Sequence, residues 1–195
     1  MKAIDQKRAT TQHDISPLIK KRWSPRAFSD QPIAEEELQA LFEAASWAAS
    51  SYNEQPWQYL YAHRSDEEGF QRLLSCINPG NQAWAKNASV LLLSSASTVF
   101  SRHGKANRHA LHDTGAANSY LLLEAIRRDI YGHAMAGFDY DKTVQEFGIN
   151  EPTVPVCFLA LGYLGDPEQL EEPLRSSEQK PRSRKPVDTF TQKIV

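Results

Sequence analysis

The sequence predicts an α+β domain in which helices cover both faces of a β-sheet. Helix-like and strand-like segments alternate along the 195 residues, and residues 107–128 form a long Ala- and Leu-rich stretch without proline. Residues 88–97 and 154–164 are nearly continuous apolar runs of strand length, which is typical of strands buried on both faces. A chain of this length usually forms one domain with a sizeable hydrophobic core.

The first two helices carry recognisable start signals. Pro17, preceded by Ser16 or Asp14 as the cap, predicts a short helix that runs to Arg22. Pro32 and the acidic residues after it open a second helix, because negative charge in a first turn complements the helix dipole. The apolar face of this second helix recurs at helical spacing: Leu38, Leu41, Phe42, Ala45 and Ala49.

The middle of the chain predicts a strand followed by a helix. Residues 57–63 alternate and are rich in aromatics, which indicates a strand. Ser65 or Asp66 then caps a helix with apolar residues at i, i+3, i+4 and i+7, and the Asn-Pro-Gly-Asn sequence of residues 78–81 breaks it. A further short helix over residues 141–147, stopped by Gly148, precedes the last strand.

Composition argues against several classes of protein. There are 22 Lys and Arg residues against 24 Asp and Glu, so the net charge of −2 draws the chain neither to nucleic acid nor to a membrane surface. No segment approaches the roughly 20 apolar residues of a membrane span, and the first residues are too polar for a secretory signal. Cys76 and Cys157 lie far apart in apolar surroundings without metal-ligand spacing. We therefore expect a cytoplasmic protein with reduced cysteines and no metal.

The composition changes from Gly165 onward, where proline and charge dominate and periodicity is lost. Such a segment is either disordered or an arm that packs against another surface. Its basic stretch, Arg175 to Lys185, is interrupted by Glu178 and lacks interleaved aromatics, so we do not expect nucleic-acid binding.

Two short runs concentrate polar chemistry. Residues 22–26 place two guanidinium groups and a hydroxyl within five positions, which suits a phosphate group, although basic residues are also common at solvated helix ends. Residues 50–57, Ser-Ser-Tyr-Asn-Glu-Gln-Pro-Trp, carry amides that both donate and accept and so suit the edge of a heterocycle. The alternative for this second run is an ordinary turn-forming loop.

Taken in order, these runs resemble the FMN-dependent nitroreductase family. The matching motifs are Arg22-x-Ser24-x-Arg26-x-Phe28, Ser50-Ser51-x-Asn53-x-Gln55-Pro56-Trp57, Asn81-Gln82-x-Trp84, Ala125 through Gly132 closing the long helix, Met135-Ala136-Gly137-Phe138, Pro155 with Leu161-Gly162-Tyr163, and Arg182-Ser183-Arg184-Lys185-Pro186. The resemblance covers nearly the whole chain, and it implies a three-layer α/β/α sandwich with a mixed, largely antiparallel sheet. It further implies that residues 1–195 form a single domain of a homodimer, with the long central helix at the interface and residues 165–195 as an arm around the partner.

The resemblance also implies which residues bind FMN. The phosphate, ribityl chain and pyrimidine edge would contact Arg22, Ser24 and Arg26, with Arg182 and Arg184 closing on the phosphate. The remaining residues expected from the same subunit are Trp23, Asn81, Met135, Ala136 and Gly137. The residues expected from the other subunit are Ser50, Ser51, Asn53 and Gln55.

The activity implied by the resemblance is transfer of hydride from NADH or NADPH, through flavin N5, to a small electron-poor acceptor such as a nitroaromatic or a quinone. No protein nucleophile is required, since the chemistry belongs to the flavin. The alternatives are a flavin-linked reductase or dehydrogenase of another small molecule, and a flavin-binding protein without turnover. The sequence specifies neither the acceptor nor the preferred nicotinamide.

Two departures from the family pattern bear on the flavin environment. Trp84 stands where many relatives have a basic residue, so we expect the flavin O2 edge to rely on Arg26. Residues 130–133 replace a Gly-Leu pair that ends the long helix in relatives. Within this segment His133 is the histidine most suited to act as an acid near a flavin.

Overall fold

The computed structural model describes residues 6–195. The α-helices that position the site are α1 (Pro17–Lys21), α2 (Glu35–Ser46), α3 (Glu67–Cys76), α4 (Pro79–Ala85), α5 (Ala110–Arg127), α6 (Tyr140–Phe147) and α7 (Leu174–Gln179). The strands are β1 (Trp57–His63), β2 (Val90–Ser97), β3 (Tyr131–Met135) and β4 (Thr153–Gly162).

The strands form one sheet in the order β1-β2-β4-β3, and each neighbouring pair is antiparallel. The α+β class and the largely antiparallel sheet are therefore confirmed. Among the strands of residues 6–195 no parallel pair occurs, so the mixed character implied by the resemblance has no counterpart there.

Helices cover both faces of this sheet. Alternate residues of β2 point to opposite sides, so that Leu91 and Leu93 pack with Phe70 of α3 while Leu92 packs with Leu41 of α2 and with α5. The same division continues along β4. This arrangement explains the uninterrupted apolar runs of the two central strands and gives the three layers that were expected.

The prediction for α2 is correct along most of its length. Leu38, Leu41 and Ala45 are buried against the sheet as expected. The helix ends at Ser46, so Ala49 lies beyond it and is exposed, and Ala48 takes the buried position instead.

The sequence prediction missed helix α4 and strand β3. Residues 78–81 do interrupt α3, but Pro79 occupies the first turn of a new helix, α4, where its missing N–H costs nothing. The segment from Ala125 to Gly132 does not simply close the long helix. Asp129 takes a left-handed conformation (φ 61°) after the end of α5, and the chain then reverses into strand β3.

Residues 166–182 fold back onto their own chain. The Lys7 ammonium donates to the carbonyl of Ser177 at 2.8 Å, and the Arg175 guanidinium donates to the carbonyl of Leu170 at 3.0 Å. Helix α7 lies within this segment, which the sequence left as either disorder or an arm. Beyond it the large apolar side chains of Val187, Phe190 and Ile194 are exposed on the isolated chain.

The helices described in residues 6–195 include none that combines the length and the apolar character needed to cross a bilayer.

Candidate functional site

The arginine run of residues 22–26 is held beside the end of the central strand β4. Phe28 forms an antiparallel bridge with Leu164, and the Gly165 N–H donates to the Ala27 carbonyl at 2.9 Å. Gly165 is needed for this approach, because a Cβ there would lie 2.5 Å from the Phe28 backbone. The run therefore leaves α1 and continues as a short extension of the sheet.

Three arginines meet in one cavity. Arg22, Arg182 and Arg184 line a space of about 640 Å³ together with residues of the N-terminal segment 9–13. The Arg182 guanidinium donates to the carbonyls of Arg22 and, at 2.8 Å, of Lys20, while its Nε is buried without a partner in the described chain. Arg22 lies 3.4 Å from the Ser24 hydroxyl.

The positive charge in this cavity is uncompensated. Burial, followed by the charge of Arg184, lowers the pKa of Arg22, and burial together with Arg22 and Arg184 lowers that of Arg182. Cations whose pKa is depressed by one another gain stability when an anion joins them. The geometry therefore brings the two ends of the sequence-predicted phosphate site together, residues 22–24 and 182–184.

The side chain of Trp23 is a packing group. It is buried in a small cluster with Ile126 and Tyr131, with its ring edge-on to Tyr131 at a centroid distance of 6.2 Å. Its indole Nε1 has no hydrogen-bond partner in the described chain. If Trp23 contacts a ligand in the cavity lined by the three arginines, it does so through its backbone.

Trp84 is a core residue. It is 1% exposed, packs against the His133 ring at a centroid distance of 4.6 Å, and is covered by the Arg26 guanidinium at 5.9 Å. The indole thus packs against the Arg26 guanidinium and supports it.

The backbone of Arg26 and Ala27 is held by Glu178 of helix α7. One carboxylate oxygen, Oε1, accepts from the Arg26 N–H at 2.7 Å and from the Ala27 N–H at 3.0 Å. Sequence reasoning missed this residue, which appeared there as an interruption of a basic stretch. Its contact spans more than 150 residues, so local patterns carry no signal for it.

Asn81 and Gly137, both expected at the cofactor, lie against each other. The Gly137 carbonyl accepts from the backbone N–H of Asn78 at 3.0 Å and from the Asn81 amide at 3.4 Å. A Cβ on Gly137 would lie 3.0 Å from the Asn81 amide nitrogen, so the close approach favours glycine. Met135 is buried at the end of β3, and Ala136 is exposed beside it.

The loop of residues 50–55 is held in a strained conformation. Tyr52, Asn53 and Gln55 have φ values of 54°, 58° and 52°, in the left-handed region that non-glycine residues rarely adopt. The Ser50 hydroxyl accepts from the Gln55 N–H at 3.0 Å, and the buried Asp113 carboxylate accepts from the Ser51 N–H at 2.8 Å. Such over-determined strain is concentrated at functional sites.

This loop and the arginine run lie at opposite ends of the sheet. The loop leads into Trp57, which pairs with Ala96, and Ala96 pairs with Val154 at the start of β4. Phe28 pairs with Leu164, beyond the end of β4. The ten residues of β4 separate the two ends by about 30 Å.

Helix α5 shows the same separation. Asp113 in its first turn holds the 50–55 loop, while the Ile126 carbonyl in its last turn accepts from the Lys21 ammonium at 3.3 Å. Its 18 residues span about 27 Å. Within one chain, the two groups of predicted cofactor-binding residues therefore do not share one site.

His133 is neutral and supports the arginine run. Burial, together with the positive charges of Arg26 and Arg22, lowers the pKa of His133 to about 4. Its Nδ1 lies 2.9 Å from the Pro25 carbonyl, which can only accept, so Nδ1 carries the proton and donates. The histidine that the sequence singled out as an acid is thus poorly suited to that role near neutral pH.

No group of three or more His, Cys, Asp or Glu side chains within residues 6–195 is arranged to hold a metal ion. Cys76 and Cys157 are both free thiols.

The model of the Nitroreductase family matches residues 19–163, which is most of the chain and includes the arginine run, the 50–55 loop and all four strands. The chain belongs to the nitroreductase family. A crystal structure described as an oxidoreductase containing FMN is 33% identical, with a TM-score of 0.89 over 94% of this chain and 93% of that chain. The resemblance found in the sequence is thereby confirmed.

Two further nitroreductase-family comparisons extend the picture. A protein of Xanthomonas oryzae pv. oryzae, provisionally named NADH dehydrogenase/NAD(P)H nitroreductase, is 25% identical over 80% of this chain and 87% of its own length. A provisionally named nitroreductase from Exiguobacterium sibiricum, solved in complex with FMN, is 21% identical with a TM-score of 0.74 over 95% of this chain and 100% of that chain. At 21% identity, the similarity to the Exiguobacterium sibiricum protein shows a shared fold and nothing more.

The state of His133 predicts a pH-dependent stability. Because its folded pKa of about 4 lies below the ordinary 6.5, the unfolded chain binds a proton between these values while the folded chain resists it. We expect this group's contribution to the free energy of unfolding to be complete above pH 6.5 and to be lost as the pH falls toward 4, by at most about 3 kcal/mol.

His133→Asn keeps a donor for the Pro25 carbonyl and removes the titration. Denaturant unfolding of both proteins from pH 7 to pH 4.5 should therefore show a flatter pH dependence for the variant. Parallel pH profiles would show that His133 is readily protonated in the folded protein.

Proposed function

We propose that this protein is an FMN-dependent oxidoreductase that takes reducing equivalents from NADH or NADPH and passes them to a small electron-poor acceptor, such as a nitroaromatic or a quinone. The observation that carries the proposal is the cavity in which Arg22, Arg182 and Arg184 converge beside Ser24. Membership of the nitroreductase family and the similarity to an FMN-containing oxidoreductase support it.

The donor set of this cavity fits a phosphate monoester. Guanidinium groups form paired, charge-assisted hydrogen bonds with phosphate oxygens, and the Ser24 hydroxyl adds a neutral donor. The buried, unpartnered Arg182 Nε is a donor that such an anion would satisfy. Arg22, Ser24, Arg182 and Arg184 would hold the FMN phosphate.

The rest of the same subunit's set would hold the remainder of the cofactor. Asn81 offers a side-chain amide, and Trp23 and the segment Met135–Gly137 offer backbone groups. FMN, when bound, supplies hydride exchange with the nicotinamide and with the acceptor. Arg26, kept in place by Trp84, would stabilise negative charge on the reduced cofactor.

A second copy of the chain would complete each site. Ser50, Ser51, Asn53 and Gln55 lie about 30 Å from the arginine run along β4, farther than one mononucleotide can span. A two-fold pairing of antiparallel α5 helices would bring this loop of one subunit to the arginine run of the other.

The exposed face of α5 is suited to such pairing. It carries Leu111 and Tyr120, 54% and 47% exposed in the isolated chain, with Gly115 and Ser119 between them. Trp47 and Tyr52 add exposed aromatic surface near the helix start. The exposed apolar residues after Pro186 would serve as an arm around the partner. Two free thiols accord with a cytoplasmic setting.

Anaerobic reduction of the FMN-loaded protein tests the proposed activity. We expect NADH or NADPH to bleach the flavin absorbance, and a nitroaromatic or quinone to restore it, because the flavin serves both half-reactions. The Arg22→Ala/Arg26→Ala variant should retain little FMN and serves as the control. Bound flavin that neither nicotinamide reduces would indicate a flavin-binding protein without turnover.

Mixed dimers test whether sites are shared between subunits. We would combine an Arg22→Ala chain with an Asn53→Ala/Gln55→Ala chain, each carrying a different affinity tag. If each site takes the arginine run from one chain and the loop from the other, the mixed dimer has one intact site and recovers FMN binding that neither parent shows. No recovery in the purified mixed dimer would place both groups in a site within one chain.

A further inference from the structure

Glu178 is a buried carboxylate placed directly beneath the arginine run. Its residue is 1% exposed, and Oε1 accepts from both the Arg26 and Ala27 N–H groups. The second oxygen, Oε2, is buried without a hydrogen-bond partner in the described chain. Only one of the two carboxylate oxygens accepts hydrogen bonds within the described chain. Burying such a group costs free energy, so packing alone does not explain its presence.

The surroundings of Glu178 are cationic. The Lys7 ammonium lies over the Trp23 ring at 5.1 Å and donates to the carbonyl of Ser177, next to Glu178 in the chain. Burial lowers the pKa of Lys7, and the positive charges of Arg26 and Arg182 lower it further. Of the charged groups that act on Lys7, Glu178 is the one that raises this pKa. Glu178 is thus the negative charge that offsets this part of the cation cluster.

We propose that Glu178 is a positioning residue of the cofactor site, which holds the backbone of Arg26 and, through its charge, lowers the reduction potential of the bound flavin. This inference rests on the proposed function, since it requires FMN beside Arg26. It assigns a role to the C-terminal segment of the same chain, in addition to any contact of that segment with a partner.

The direction of the effect follows from electrostatics. A reduced flavin carries more negative charge than an oxidised one, so positive surroundings favour reduction. A buried negative charge close to Arg26 offsets part of this positive charge and so makes reduction of the flavin less favourable. The effect is larger in a low-dielectric interior than in water. Removing the Glu178 charge should raise the midpoint potential, and removing the Lys7 charge should lower it.

Two substitutions change the charge near Arg26 while keeping the hydrogen bonds, and a third serves as a control. Glu178→Gln keeps a carbonyl oxygen for the two backbone donors and removes the charge. Lys7→Gln removes a neighbouring cation and keeps a donor for the Ser177 carbonyl. Glu171→Gln removes an exposed charge from the same segment and serves as the matched control. The readouts are the two-electron midpoint potential of the bound flavin, the FMN dissociation constant and the melting temperature.

We expect Glu178→Gln to shift the midpoint potential upward and Lys7→Gln to shift it downward, with Glu171→Gln unchanged. Glu178→Ala, which also loses the hydrogen bonds, should weaken FMN binding about tenfold to hundredfold. If Glu178→Ala does not fold, the opposite shifts of the midpoint potential in Glu178→Gln and Lys7→Gln still decide between the two outcomes.

A midpoint potential in Glu178→Gln equal to that of the wild type and of Glu171→Gln would overturn the inference, even with a lowered melting temperature, because that pattern describes a purely structural carboxylate. Failure of the proposed function looks different, because the wild-type protein itself would then not bind FMN, or would hold a flavin that neither nicotinamide reduces.

Discussion

The site depends on the two hydrogen bonds that the buried Glu178 carboxylate accepts from the Arg26 and Ala27 backbone. They join the C-terminal segment to a run of residues near the start of the chain. The Ala27 carbonyl accepts a hydrogen bond from the Gly165 N–H, and the Pro25 carbonyl accepts one from Nδ1 of His133. These hydrogen bonds fix the backbone of the arginine run and so restrict where its guanidinium groups can lie. Groups that are ordered in advance lose less entropy when a ligand binds.

The length of the sheet imposes the second constraint. Because β4 and α5 both extend for roughly 30 Å, the 50–55 loop and the arginine run occupy opposite ends of one subunit. In the proposed dimer, a site that uses both groups would be built from two chains. The strain at Tyr52, Asn53 and Gln55, anchored by Asp113, would then lie in a loop that keeps its shape while it reaches into the other subunit's site.

The sequence predicted the parts of this architecture that are encoded locally. Strands buried on both faces produce uninterrupted apolar runs, helices produce 3.6-residue periodicity, and the Arg-x-Ser-x-Arg spacing concentrates donors in a few residues. Strand β3 was missed because it is five residues long and follows a reversal at Asp129 that no glycine marks. Glu178 and Asp113 were missed because their roles arise from contacts with distant backbone N–H groups, which leave no periodic trace.

Calorimetric titration of the apoprotein with FMN and with riboflavin tests whether the arginine cavity binds the phosphate of FMN. Several charge-assisted hydrogen bonds at about 1.5–3 kcal/mol each predict that FMN binds at least about a hundredfold more tightly than riboflavin. The ratio of the FMN affinity to the riboflavin affinity should be smaller in the Arg22→Ala variant. Equal affinities for the two flavins in the wild-type protein would show that the cavity does not bind the phosphate.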